Sequence, residues 1–115
     1  MNATIDKACE AAGVWPDLFI SGHAHNYQRY TRQVKQKQIP YLVAGTGGMP
    51  PQPVVTASNQ VVDATHQLTY DGALSSLGYL LISVSKSAIN SEFRSLDTGS
   101  PYDPFTVDLA SGKVS

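Results

Sequence analysis

The apolar positions of this chain follow a short helical pattern first and β patterns afterwards. Apolar side chains recur at helical spacing from Ile5 to Ala12, which predicts a helix over residues Asn2 to Ala12. Gly13 is placed to end that helix. The connector Trp15-Pro16-Asp17 then leads into the apolar strand Leu18-Phe19-Ile20. A helix, a short loop and an apolar strand that runs into a polar loop are the layout of an α/β unit.

The rest of the chain has the pattern of β structure. Residues 45 to about 76 contain glycines, prolines and scattered polar residues, and we expect them to be mostly irregular, with Val54-Val55 and Val61-Val62 as short extended pieces at most. Apolar alternation predicts a hairpin of Tyr30 to Lys35 with Ile39 to Ala44. It also predicts strands over Tyr79 to Ser85 and Ala88 to Ser95. A last strand would turn Phe105, Val107 and Leu109 inward.

These patterns together predict a single domain over residues 1–115. Its fold class is α+β, with one short N-terminal helix plus a largely antiparallel sheet. A chain of 115 residues is long enough for one modest hydrophobic core.

Composition narrows the classes of protein that remain. The net charge of −1 argues against a nucleic-acid or membrane-surface binder, because both normally need a basic face. The local basic cluster of Arg29, Arg32, Lys35 and Lys37 is therefore predicted to be a solvated strand face. No apolar stretch approaches a membrane span and the first twenty residues do not resemble a signal peptide, so we expect a soluble chain. Its compartment stays open, since a parent protein could be secreted or periplasmic.

Cys9 is the only cysteine of the chain. A single cysteine excludes an intrachain disulfide and a cysteine-based zinc site. Its position in the predicted helix indicates a small buried apolar side chain.

The strongest chemical signal is the segment Gly22-His23-Ala24-His25-Asn26-Tyr27, directly after the first apolar strand. If the extended path continues through the motif, His23 and His25 project to the same side. Neutral imidazole is a common ligand of zinc, iron and manganese. The pair therefore predicts part of a metal site, holding one ion or divided between two. His66, near Asp63 in an irregular stretch, is better explained as a surface residue.

The eight residues Gly22 to Arg29, of sequence GHAHNYQR, resemble the last metal-binding block of the calcineurin-like metallophosphoesterases. The Asn-Tyr-Gln-Arg extension is most similar to the branch that contains the purple acid phosphatases. The strand and glycine turn YLVAGTGG over Tyr41 to Gly48 resemble the segment that follows the block in that branch. Leu77-Gly78-Tyr79 and Asp103-Pro104-Phe105-Thr106 also fit its C-terminal layout, so that the resemblance covers most of the chain.

This resemblance implies a phosphoester hydrolase with an α/β/β/α sandwich and two metal ions at the strand ends. By likeness, His23 and His25 would bind one ion each, and iron, zinc or manganese would be the metal. Asn26, Tyr27 and Arg29 would be candidates for substrate contact or for support of the histidines. For Tyr27 and Tyr30 packing in the core is the better explanation, and for Arg29 an ion pair with a strand neighbour is equally open.

The sequence departs from the family in one important respect. The family's earlier blocks, which supply aspartates, an asparagine and a further histidine, have no counterpart here. Two imidazoles without anionic or bridging ligands cannot assemble a dinuclear centre. The chain then corresponds to the C-terminal part of an enzyme, carrying the second half-sheet of the sandwich, and is expected to be inactive alone, with a phosphoester substrate only when the missing half is present.

A half-sandwich would leave an apolar face and a strand edge uncovered, so we expect self-association or packing with a partner. Two alternatives stay open. The chain could be a non-catalytic β-rich interaction module with relic histidines, or histidines of two copies could complete a zinc site at an interface.

Overall fold

The computed structural model describes residues 3–115 and contains one helix and two β-sheets among them. The helix and strands are α1 Ala3–Ala12, β1 Phe19–Ser21, β2 Tyr27–Val34, β3 Lys37–Ala44, β4 Gln60–Asp63, β5 Leu68–Leu74, β6 Gly78–Val84, β7 Ala88–Ser95, β8 Pro101–Asp108 and β9 Lys113–Val114. The α+β class with one short helix and mostly antiparallel strands is confirmed. The predicted first helical residue, Asn2, lies outside the described residues.

The first sheet has the strand order β1-β3-β2-β5-β4, and the second has the order β6-β7-β8-β9. The β1–β3 pair is parallel and every other pair is antiparallel. A parallel pair places the carboxyl ends of both strands at one edge of the sheet. That edge carries the histidine motif.

The core lies between the two sheets and is built from alternate residues of the strands. Tyr27 of β2 stacks on Phe93 of β7, with ring centroids 4.8 Å apart. The cluster around this pair also includes Leu42 of β3 and the inward residues Ile89, Phe105 and Val107 of the second sheet. The predicted inward row of Phe105, Val107 and Leu109 is confirmed for its first two members, and Leu109 packs against the cluster half-buried.

Several predictions of local structure need correction. The β2–β3 hairpin is tighter than expected, because Val34 pairs with Lys37 and only two residues form the turn. The stretch from 45 to 76 is irregular only to residue 59; β4 and the seven-residue β5 follow, and β5 is an inner strand of the first sheet. Cys9 is partly exposed rather than buried, because none of the described helix residues is buried.

The expectation of an uncovered half-sandwich also changes. The chain contains two sheets, and their inner faces already cover one another through the Tyr27–Phe93 core. What the described residues leave open is a set of strand edges and part of the outer sheet faces; Tyr70 and Arg32 of the first sheet are buried, and Arg32 pairs with Asp6 of α1. Among these residues no helix is long and apolar enough to span a membrane.

Candidate functional site

Two glycine-containing loops meet at the edge where the parallel strands end. β1 ends at Ser21, which pairs with Val43 of β3, and the loop Gly22–Asn26 follows it. β3 ends one residue after Val43, at Ala44, and the loop Gly45–Gly48 follows. Binding residues in α/β units gather beyond the carboxyl ends of strands. The topology therefore brings together the two sequence motifs that resemble the metallophosphoesterases. We call this place the histidine edge.

The backbone does not continue as a strand through the histidine motif. It bends from residue 23 to residue 26, and His23 has a positive φ of 85°. The alternation argument for His23 and His25 therefore does not apply, although both imidazoles sit in the same five-residue loop. His23 is exposed and His25 is half-buried. A left-handed φ is uncommon for a residue with a side chain and marks a constrained position.

Contacts with the segment after β3 fix the shape of this loop. The His25 backbone N–H donates to Gln52 Oε1 at 2.9 Å, and the His25 carbonyl accepts from the Gln52 N–H at 2.7 Å. Asn26 is buried, and its Nδ2 donates to the carbonyls of Gln52 and Pro53 at 3.4 and 3.3 Å. Gln28 Nε2 donates to Asn26 Oδ1 at 2.8 Å. Asn26, predicted as a candidate for substrate contact, thus uses its amide to anchor the loop.

Gly45 lets the two loops approach each other. A Cβ at this position would lie 2.2 Å from the carbonyl oxygen of Ala24, which stands between the two histidines. No side chain fits in that space without moving the backbone. By contrast, a Cβ at Gly47 would meet nothing within 4 Å. The first glycine of the Gly-Thr-Gly-Gly turn is therefore a packing requirement of the histidine loop.

The described residues supply only part of a metal site. Within residues 3–115, no three His, Cys, Asp or Glu side chains lie close enough together to hold an ion. His66 Nδ1 lies 2.6 Å from Asp63 Oδ2 in the turn between β4 and β5, and the hydrogen bond from His66 lowers the pKa of Asp63. The interpretation of His66 as a surface residue agrees with this arrangement. His23 and His25 have the chemistry of ligands but would need others.

Tyr27 and Arg29 point away from the histidine edge, into the space between the sheets. Tyr27 Oη donates to Asp103 Oδ2 at 2.8 Å. Arg29 clasps the same carboxylate, through Nε to Oδ2 at 2.7 Å and Nη2 to Oδ1 at 2.8 Å. Arg29 Nη1 also lies 3.6 Å from Asp71 Oδ2, and the guanidinium lies over the Phe105 ring at 5.0 Å. We call these five residues the inter-sheet cluster.

Burial governs the electrostatics of the inter-sheet cluster. Burial, reinforced by the charge of Asp103 and its hydrogen bond, raises the pKa of the Tyr27 hydroxyl well above its usual range. Burial alone would lower the pKa of Arg29, but the hydrogen bonds and charge of Asp103 raise it above its ordinary value. Tyr27 is therefore a neutral hydrogen-bond donor and Arg29 a permanent cation, and both donate hydrogen bonds to Asp103.

The inter-sheet cluster decides between alternatives that the sequence left open. Arg29 forms two ion pairs, a close one with Asp103 of the facing sheet and a longer one with Asp71 of the adjacent strand β5, so the pair with a strand neighbour is present beside the cross-sheet pair. Arg32 is also buried, paired with Asp6 at 2.9 Å, so the prediction of a solvated basic face is wrong for both arginines. Sequence reasoning missed Asp71 as a partner. One signal was present, because Arg29 falls two residues from the buried Tyr27, on the same strand face.

The outer face of the first sheet carries a second feature, a groove of about 380 Å³. Phe19 stacks on Tyr41 with centroids 5.1 Å apart, and Tyr30 stacks on Tyr70 at 4.9 Å. Tyr30 is thus half-buried among aromatic rings, on the face opposite the inter-sheet core. The groove has a mainly apolar lining and reaches Ser21 and Val43, next to the strand ends that carry the histidine loop.

No protein-family model matches this chain, and neither a curated protein nor a solved structure matches it.

Proposed function

We propose that this chain is the C-terminal segment of a metal-dependent phosphoesterase of the calcineurin-like, purple-acid-phosphatase-like kind. One observation carries the proposal: the two segments that resemble that family, Gly22–Arg29 and Tyr41–Gly48, converge at the carboxyl ends of a parallel strand pair. The close approach of Gly45 to Ala24 explains why a glycine turn accompanies the histidine block.

In this proposal His23 and His25 supply two imidazole ligands from the histidine edge. Iron, zinc or manganese bound there together with ligands from the missing half would hold the phosphate, generate a hydroxide from water and stabilise the leaving oxygen. The contacts of Asn26 and Gln52 hold the loop backbone at His25, and so support the loop that carries both imidazoles. Tyr27 and Arg29 support the same loop indirectly, because β2 begins where the loop ends.

Zinc titration of the 115-residue chain tests the ligand role directly. Isothermal titration calorimetry at neutral pH should detect zinc binding that is weak for a protein site, because two imidazoles leave the coordination shell incomplete. His23→Ala and His25→Ala should each reduce it. His66→Ala is the matched control and should leave this binding unchanged, since His66 lies in a different turn. Equal loss in all three variants would contradict the assignment.

Restoration of activity tests the reaction class. The chain is mixed with the N-terminal part of a purple-acid-phosphatase-like enzyme that carries the aspartate blocks, in the presence of iron, zinc or manganese. Phosphomonoesterase activity should appear with the wild-type chain and with His66→Ala, but not with His25→Ala. Activity that ignores the His25 substitution would refute the proposal.

A non-catalytic β-rich interaction module is the second candidate. Two observations favour it: Arg29 is hydrogen-bonded to Asp103 rather than free to contact a phosphate, and residues 3–115 contain no group of three side chains that could hold a metal ion. A folded sample that binds no zinc at neutral pH would support this alternative. The third arrangement, a zinc site shared by histidines of two copies, predicts an assembly that a chelator dissociates.

A further inference from the structure

The edges of the two sheets differ in how well they are protected from pairing with another chain. In the part of the chain that the structure describes, the edge strands are β1, β4, β6 and β9, with three, four, seven and two residues. β4 also has a register shift between Val61 and Asp63, and β9 carries Lys113. Short length, irregularity and charge are the usual protections of an edge.

β6 has none of these protections. Its sequence, GYLLISV, contains no charged residue and no proline, and its pairing with β7 keeps one register from Gly78 to Val84. Its apolar side chains are also unusually accessible: Val84 is 70% exposed, Tyr79 54% and Leu81 44%. A long, regular and uncharged edge is a template for another strand.

The hydrogen bonds identify which residues face the open side of β6. Antiparallel partners alternate between hydrogen-bonded and non-hydrogen-bonded pairs. The bonds from Leu96 N to Leu77 O and from Ser85 N to Ala88 O, both 2.9 Å, make the odd-numbered residues of β6 face β7. The even-numbered residues then direct their N–H and C=O groups outward.

Gly78 confirms this assignment and also limits the open edge. Its N–H donates to the Thr46 carbonyl at 3.2 Å, and its carbonyl accepts from Thr46 Oγ1 at 3.0 Å. The glycine turn after β3 therefore already occupies the first outward position. Leu80, Ile82 and Val84 remain, and in residues 3–115 no other group bonds to their outward backbone atoms.

We propose that a second copy of this chain pairs with β6 through its own β6, antiparallel and about a two-fold axis at Ile82. This register sets Leu80 opposite Val84 of the second copy and Ile82 opposite itself, so that every open backbone group is used. Moving the two-fold axis toward the N-terminus would bring the outward backbone groups of Gly78 into the pairing, and these are already hydrogen-bonded to Thr46. Leu81 faces Ser83 of the second copy, and no like charges oppose one another. The interface is isologous, as expected for a two-fold dimer.

Sedimentation velocity of the purified 115-residue chain across micromolar to millimolar concentration tests this pairing. The wild type should shift from monomer to dimer. Val84→Pro removes an outward N–H without touching the β6–β7 ladder, a change that an edge strand tolerates. Two symmetry-related hydrogen bonds are lost, so dimerisation should weaken about thirtyfold, which corresponds to about 2 kcal/mol.

Val84→Ala is the matched control, because it shortens the same side chain but keeps the N–H. It should dimerise more tightly than Val84→Pro, and both variants should keep the wild-type circular dichroism spectrum. Amide exchange provides an independent measurement, in which the N–H groups of Leu80, Ile82 and Val84 gain protection as concentration rises.

A monomer at every concentration, equal dissociation constants for the two variants, or protection absent from these three amides would overturn the proposal. A dimer that a chelator dissociates would point instead to zinc shared between histidines. Sedimentation needs neither metal nor substrate, so failure of this pairing and failure of the phosphoesterase proposal are distinguishable.

Discussion

Replacing Asp103 by asparagine tests whether the inter-sheet cluster holds the two sheets together. The carboxylate accepts one hydrogen bond from Tyr27 and two from Arg29, all between 2.7 and 2.8 Å. An asparagine that keeps its oxygen toward Tyr27 and Arg29 Nε must turn its NH2 group toward Arg29 Nη2, a donor facing a donor. The backbone should tolerate the change, because Asp103 has a φ of 51° and asparagine adopts this region readily.

The size of the expected loss in unfolding free energy follows from the burial of Arg29. Its side chain is 13% exposed, and without Asp103 its nearest carboxylate is that of Asp71, at 3.6 Å. Removing one partner of a buried ion pair costs about 3–5 kcal/mol. Because Asp71 compensates in part, we expect Asp103→Asn to lower the free energy of unfolding by about 3 kcal/mol, a large share of the 5–15 kcal/mol of an ordinary domain.

Urea unfolding followed by circular dichroism measures this loss. With a slope of about 1.5–2 kcal/mol/M, the midpoint should fall by about 1.5–2 M. Glu92→Gln is the matched control, because it makes the same chemical change in the half-buried but more accessible pair of Glu92 with Arg94, and should cost under about 1 kcal/mol. A double variant with Arg29→Met should lose less than the sum of the single changes. If Asp103→Asn costs no more than Glu92→Gln, the inter-sheet cluster does not stabilise the fold as argued.

Two further predictions concern Gly45 at the histidine edge and Tyr27 in the inter-sheet cluster. Gly45→Ala should lower the free energy of unfolding by about 1–3 kcal/mol and weaken zinc binding, because its Cβ would meet the Ala24 carbonyl oxygen at 2.2 Å. Gly47→Ala is the control, because a Cβ there has open space, and it should change neither property. Thermal unfolding and calorimetric zinc titration of both variants measure the difference, and equal behaviour of the two variants would contradict the prediction. The raised pKa of Tyr27 means that the folded state keeps its proton above the pH at which the unfolded chain loses it, so this contribution is complete below about pH 10 and is lost as pH rises further. Tyr27→Phe should therefore flatten the decline in unfolding free energy above pH 10 by up to about 1.4 kcal/mol per pH unit, and the exposed Tyr79→Phe should not; an unchanged slope in Tyr27→Phe would refute the assignment.

The sequence predicted best those strands whose neighbours follow along the chain. β7 matches its predicted bounds, Ala88–Ser95, because Ile89 and Phe93 alternate with polar residues and its partners β6 and β8 are adjacent in sequence. The helix ends where Gly13 takes a φ of 70°, as expected of a glycine cap. Local signals were sufficient in these places.

The strand β5 escaped prediction because its stabilising contacts are distant in sequence. Asp71-Gly72 in its centre is a dipeptide typical of turns. Here Asp71 faces Arg29, and Gly72 makes room for the carboxylate of Asp103, which a Cβ would meet at 2.3 Å. The ladder shifts register at this point, between Arg29 and Tyr30. Tertiary pairing thus overrode the local turn preference.

The same distinction explains what was predicted of the candidate site. The block Gly22–Arg29 was identified as one functional unit, but the fold divides it at Tyr27, where β2 begins. Before that point, His23 and His25 lie in a bent loop at the strand ends. After it, Tyr27 and Arg29 enter the inter-sheet core and are bound by Asp103. If the phosphoesterase proposal holds, Arg29 acts by keeping β2 and its preceding loop in place, and positive charge for the phosphate has to come from the metal ions and the missing half.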